Sequence, residues 1–209
     1  MEQEPAAAAA LFGDRIDVAR DFAHELGTRG EELGLIGPLE ADRLWTRHIL
    51  NCVLVAPLLR PGRVGDVGSG AGLPGLVLAI ARPDVEMVLI EPMERRTDWL
   101  TAEAKRLGLD NVIVARGRAE DVRPDPLLDQ VTARAVSALS KLIPLCVPLL
   151  RRGGELVLMK GARVEDELVA AKKVMRQAGI KNPEVLILGE GIVPEVTRVF
   201  RARVGALED

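Results

Sequence analysis

Aromatic side chains are almost missing from this chain: they make up 2% of it, and there is no tyrosine. Its core must therefore be built from Leu, Val, Ile and Ala, and a hydrophobic content of 48% supplies enough of them. The scarcity also leaves few surfaces on which an unpaired nucleotide could stack, and Trp45 and Trp99 read as core or helix-packing residues. Cysteine is nearly as rare. Cys52 and Cys146 lie far apart in apolar stretches and form no C-x-x-C pair, which predicts buried free thiols. With His24 and His48 the only histidines, a zinc site lacks ligands, and no metal is expected. No apolar run approaches the roughly 20 residues that span a bilayer, so no membrane partner is expected. The start, Met-Glu-Gln-Glu-Pro and then alanines, carries neither a basic n-region nor an apolar h-region, and a soluble cytoplasmic protein is expected. Neither a Ser, His and Asp set nor a nucleophilic cysteine constellation is present.

Charge is close to balanced, with 28 Lys and Arg against 31 Asp and Glu, a net −3. A basic patch usually provides the phosphate-binding part of an RNA interface. Basic residues can gather on one face whatever the net charge, so composition leaves an RNA partner open.

What the chain has is a glycine loop, Asp66-Val67-Gly68-Ser69-Gly70-Ala71-Gly72-Leu73-Pro74-Gly75. Glycines let the backbone turn tightly and approach a ligand closely, and such a turn aims amide N–H groups of the following helix at that ligand. Three readings compete. Gly70-Ala71-Gly72-Leu73-Pro74-Gly75 satisfies G-x-G-x-x-G, the dinucleotide fingerprint. An acid two residues before alternating glycines resembles the first motif of class I S-adenosylmethionine (SAM)-dependent methyltransferases. A glycine-rich structural turn is the third.

The chain around the loop is regularly punctuated. Apolar spacing predicts helices over 6–28 and 39–58, then a strand at 63–67 and a helix at 73–81. A strand at 85–90, a helix at 93–107 and strands at 111–115 and 129–135 follow. A helix at 138–150, a strand at 155–160 and a helix at 164–178 lead to strands near 184–188 and 196–204. This alternation indicates an α/β fold with a mostly parallel sheet. The last two strands have no helix between them and should pair antiparallel. Such an ending resembles class I SAM-dependent methyltransferases, a Rossmann-like fold, more than dinucleotide-binding chains. The expected organisation is an N-terminal helical extension over 1–60, a methyltransferase domain over 61–205 and a short tail over 206–209.

Ligands of open parallel sheets sit beyond the carboxyl ends of the strands. Asp66 could hold a polar group from the strand side, and Gly70 belongs to the loop floor. Glu91, read as an exposed carboxylate closing the second strand, could accept both hydroxyls of a ribose. Glu120, after the third strand, could bind an adenine amino group.

Five stretches narrow the resemblance. Arg47-His48-Ile49-Leu50, Asp66-Val67-Gly68, Gly72-Leu73-Pro74-Gly75, Thr132-Ala133-Arg134-Ala135 and Leu158-Met159-Lys160-Gly161 together resemble the glucose-inhibited division protein B family, over about residues 40–203. The resemblance implies a bacterial methyltransferase that modifies guanine N7 in the decoding-centre loop of small-subunit (16S) ribosomal RNA. It implies SAM as cofactor, held by Gly68, Leu73, Ala119, Glu120 and Arg134, with Asp66, Gly70 and Glu91 added on the chemistry above. The planar fork of Arg134 suits a cofactor carboxylate or an RNA phosphate, and the cofactor is the choice made here. The chain departs from the family at Gly34-Leu35-Ile36-Gly37-Pro38, where a polar Asn-Leu-Thr segment is common. At the end, Arg198, Arg201 and Arg203 replace a lysine-rich stretch.

Guanine N7 has a lone pair and no proton, so its methylation needs alignment and no general base; no catalytic acid or base is assigned. His48 reads as a structural histidine on a helix face. Candidate RNA contacts are Arg95, Arg96, Arg118, Lys160 and Arg198, with Arg116, Arg123, Arg163, Arg201 and Arg203 behind them. The alternatives are a SAM-dependent methyltransferase for a small molecule, which the acidic balance favours, and a non-enzymatic nucleotide-binding regulator.

Overall fold

Short runs of Val, Ile and Leu bounded by glycine or proline become the strands Gly62–Val67 (β1), Val85–Glu91 (β2), Val112–Arg116 (β3), Leu128–Arg134 (β4), Leu150–Lys160 (β5), Glu184–Leu188 (β6) and Thr197–Arg203 (β7). The computed structural model describes residues 2–205, so the expected tail lies outside the described residues. The strands form one sheet in the order β3-β2-β1-β4-β5-β7-β6. The first five are parallel, and β7 runs antiparallel to both neighbours, β5 and β6. The central strands are buried on both faces, as continuous apolar runs such as Met87–Ile90 require. The strand order reverses between β1 and β4, which opens a crevice at their carboxyl ends.

Helices Gly75–Ala81 (α4) and Glu94–Arg106 (α5) cover one face, together with the N-terminal helices Ala7–Phe12 (α1), Ile16–Arg29 (α2) and Leu50–Val53 (α3). Phe22, Leu26, Ile49 and Leu50 share a single apolar cluster with Leu76, Ile80, Leu89 and Leu100. Leu139–Cys146 (α6) and Val164–Gln177 (α7) cover the other face, where Leu142, Ile143 and Ala171 meet Val131, Leu158 and Phe200. Cys52 and Cys146 are free and fully buried, and burial pushes their thiols up to about 11 and about 12.

The N-terminal helices differ from the periodicity reading. Residues 6–28 are not one helix: Gly13, at φ +53°, ends α1, and a 3-10 turn at Gly13–Arg15 leads into α2. The expected helix over 39–58 is a succession of short pieces. A 3-10 turn at Glu40–Arg43, a π-helical turn at Trp45–Ile49, α3 and a second 3-10 turn at Ala56–Leu58 follow one another. Helix α4 begins at Gly75, two residues later than expected, and β5 extends back to Leu150.

The N-terminal helices are tied to the sheet-covering helices by polar contacts as well. The Arg15 Nε donates to the carbonyl of Ile80 at 3.3 Å, and Arg106 donates to the carbonyl of Asp21 at 3.1 Å. Leu26→Ala, in the middle of this junction, should therefore lower the unfolding free energy of the whole chain by about 2–5 kcal/mol in urea denaturation, in one transition. A change below about 1 kcal/mol, or an early separate transition, would mean that α2 is not part of the core.

Candidate functional site

At the carboxyl end of β1 the chain turns through the glycine loop, whose Gly68, Gly70 and Gly72 all have positive φ. At Gly70 (φ +56°) a Cβ would meet nothing closer than the Gly68 carbonyl at 3.8 Å, so it is the backbone angle that favours glycine there, and the space above stays open. At Gly75 the reason is contact: a Cβ would lie 2.3 Å from Leu89 and 2.6 Å from the Asp66 carboxylate.

Two buried acids hold this loop. Asp66 is 0% exposed, and its Oδ2 accepts the Gly75 N–H at 3.0 Å, at the start of α4. Its Oδ1 is buried with no partner among the described residues. Burial pushes the Asp66 carboxyl up to about 7, against the pull of the Gly75 N–H and the Arg134 charge. Glu91 is 2% exposed, and not the exposed charge that was expected. Its Oε2 accepts the Gly70 N–H and its Oε1 the Met93 N–H, both at 3.0 Å. The Trp99 indole N–H donates to the Ala71 carbonyl at 3.0 Å and fixes the loop from α5.

Two connected clefts lie above the loop. The first, about 430 Å³, runs from Gly68–Ala71 and Leu73 to Leu35–Gly37, Glu40, Arg47 and His48 of the N-terminal segment. The second, about 350 Å³, lies between Glu91–Met93, Gly117–Glu120 and Val136. Gly68, Arg96, Arg134 and Ala135 line both. Of the predicted cofactor residues, Gly68, Gly70, Leu73 and Arg134 border the first cleft, and Gly68, Glu91, Ala119, Glu120 and Arg134 border the second. Asp66 borders neither; it works from beneath. A roomier cavity, about 620 Å³, lies at the opposite end of the sheet beside Glu155 and Gly205 and contains none of these residues.

The predicted RNA contacts divide. Arg96 borders both clefts and Arg118 the second, while Arg95 is exposed beside Gly34. Lys160 is turned inward: its side chain is 8% exposed, and its Nζ donates to the Ser137 carbonyl at 2.8 Å and pairs with Glu167 at 2.7 Å. Arg198, half-buried, lies opposite Lys160 in the β5–β7 register. Arg116 pairs with Glu94, Arg123 donates to the Glu120 carbonyl, and Arg201 pairs with Glu155. Arg163 and Arg203 are exposed.

Periodicity did not place Glu40 and His48 at the site. The π-helical turn, a geometry often found at functional sites, carries Arg47 and His48 to the cleft wall. There Arg134 Nη1 lies 2.9 Å from His48 Nδ1, and His48 Nε2 lies 2.5 Å from Glu40 Oε2. The Arg47-His48-Ile49-Leu50 stretch was the available signal, but nothing in the spacing distinguishes a π turn from an α-helix.

The Asp66 carboxyl gives a direct pH test. Because it holds its proton more tightly folded than unfolded, where its value is about 3.9, its stabilising contribution is full below pH about 4. That contribution is lost as pH rises towards about 7. Asp66→Asn carries no such loss, so its stability relative to the parent should improve steadily between these pH values in urea denaturation. A difference that stays constant with pH would show that burial does not control this group.

The comparisons with known proteins agree with this architecture. A family model described as rRNA small subunit methyltransferase G (GidB) matches residues 15–194. A Clavibacter sepedonicus protein named ribosomal RNA small subunit methyltransferase G is 68% identical over 204 residues, covering 98% of this chain and 97% of its own. A protein of the same name from Leifsonia xyli subsp. xyli is 64% identical over 98% of each chain. The crystal structure of a SAM-dependent methyltransferase from Aquifex aeolicus matches 80% of this chain and 94% of its own with a TM-score of 0.57. At 19% identity that likeness shows the fold, the Rossmann-like class I methyltransferase architecture with helices added at the N-terminus. On the family model and these relatives, the chain belongs to the rRNA small subunit methyltransferase G (GidB) family.

Proposed function

We propose that this chain is a cytoplasmic enzyme that transfers a methyl group from SAM to N7 of a guanine in the decoding-centre loop of small-subunit ribosomal RNA. The observation that carries the reading is the pair of clefts joined at Gly68 and Arg134, lined by Glu91 and Glu120 together with Arg47, Arg96, Arg118 and Arg134. The names of the close relatives support ribosomal RNA as the substrate class. Residues 61–205 form the methyltransferase domain in this reading, and residues 1–60 are an extension that walls the first cleft.

The residues fit the cofactor. Glu91 spends one lone pair of each oxygen on the Gly70 and Met93 N–H groups, which leaves acceptors for two ribose hydroxyls. Ala119 and Val136 offer apolar contact for an adenine ring, and Glu120 an acceptor for its amino group. Among the described residues the Arg134 guanidinium makes one hydrogen bond, to His48, and it keeps further N–H donors for a carboxylate. When bound, SAM supplies a methyl group activated by its sulfonium. The protein's part is alignment: the glycine loop and Arg134 fix the donor, and the arginine-lined rim orients the RNA. N7 bears no proton, which agrees with a site that needs no general base.

Purified protein should bind SAM and S-adenosylhomocysteine and not NAD in calorimetric titration. Glu91→Ala should weaken SAM binding about ten- to a hundredfold and Glu91→Gln less. Because Glu91 also holds two backbone N–H groups, Glu91→Ala should lower the melting temperature without ligand too. Nucleoside analysis of ribosomal RNA should show 7-methylguanosine lost from cells without the gene. An unchanged nucleoside pattern together with intact SAM binding would favour a small-molecule acceptor, and NAD binding without SAM binding would return the loop to the dinucleotide class.

A further inference from the structure

We propose that Glu40 and His48 are positioning residues that hold the Arg134 guanidinium in its working orientation and so couple the N-terminal segment to the cofactor cleft. The proposal rests on the reading of Arg134 as a cofactor contact.

The hydrogen bonds have one consistent direction. A guanidinium can only donate, so the 2.9 Å contact makes His48 Nδ1 the acceptor. The ring proton then resides on Nε2 and is donated to Glu40 Oε2. His48 and Glu40 side chains are 13% and 18% exposed, and among the described residues the Arg134 guanidinium makes no other hydrogen bond. Without His48 the guanidinium at the end of β4 would lose that hydrogen bond.

The backbone is unusual at both ends of this chain of contacts. Leu39 (φ +67°) precedes Glu40, and Ala135 (φ +56°) follows Arg134. They are the only non-glycine residues with positive φ among those described. Side chains seldom tolerate that conformation, and where it persists the surrounding contacts hold it, often at a functional site.

The arrangement works only with a neutral ring, because a protonated His48 would offer Nδ1–H to a guanidinium. Burial, Arg134 of β4 and Arg47 of the π turn all oppose protonation, and Glu40 favours it; on balance His48 sits below its ordinary value. Arg96 across the first cleft, and Lys160 and Glu195 in the adjoining groove, are the other charged groups bordering the clefts that His48 lines.

His24 is exposed and is the only other histidine, so ring-proton NMR of the protein without cofactor can follow His48 directly. His48 should titrate below the ordinary histidine value. Glu40→Gln should move it lower still and move the acid limb of kcat/KM to lower pH. His48→Phe should weaken SAM binding roughly tenfold, the value of one charge-assisted hydrogen bond. His48→Asn, which can return an acceptor to the Nδ1 position, should recover most of that loss at the same melting temperature as the Phe variant. Equal SAM affinity in the parent, Phe and Asn proteins would overturn the proposal, as would a His48 titration indifferent to Glu40→Gln. A parent protein that binds no SAM would overturn the reading beneath it and the proposal together, whereas intact parent binding with unaffected variants would overturn the positioning role alone.

Discussion

Two carboxylates buried at the ends of neighbouring strands carry the architecture of the site. Asp66 on β1 and Glu91 on β2 each accept a backbone N–H of the glycine loop or of the helix that follows it. Parallel pairing sets their separation, since Asp66 lies opposite Leu89 and the chain reaches Glu91 two residues on. The loop is thus held from below and from the side, and its three left-handed glycines become a single fixed surface. Burying charge is costly unless hydrogen bonds offset it. The raised proton affinity of Asp66 shows that the offset there is incomplete.

The layers were legible because each strand of the sheet is closed by glycine, proline or a charged residue, and the register of hydrophobic runs follows. The antiparallel ending was legible because no helix fits between residues 188 and 197. Periodicity failed at the N-terminus for a specific reason: apolar residues continue at helical spacing across Gly13 and through Trp45–Ile49, although the backbone changes its winding at both places.

The sequence located the candidate residues along the chain but not their depth. Gly68, Gly70, Leu73, Glu91, Ala119, Glu120 and Arg134 fall on the joined clefts because strand ends converge there. Whether a polar side chain faces outward depends on partners that are distant in sequence. Glu91 is drawn in by Gly70, and Lys160 by Glu167 on α7. His48 gains its role from Arg134, 86 residues away. The net charge of −3 concealed the same kind of detail, because Arg47, Arg96, Arg118 and Arg134 all border one or both of the joined clefts.

The two tryptophans bracket the glycine-loop cleft. Trp99 is bonded to the loop through Ala71, and Trp45 opens the π turn that brings Arg47 and His48 to the opposite wall. Both are buried, and the chain has no tyrosine. Its ultraviolet emission therefore arises from two residues packed behind the cleft with no phenolic background, which makes the native protein its own optical reporter of movement around the loop.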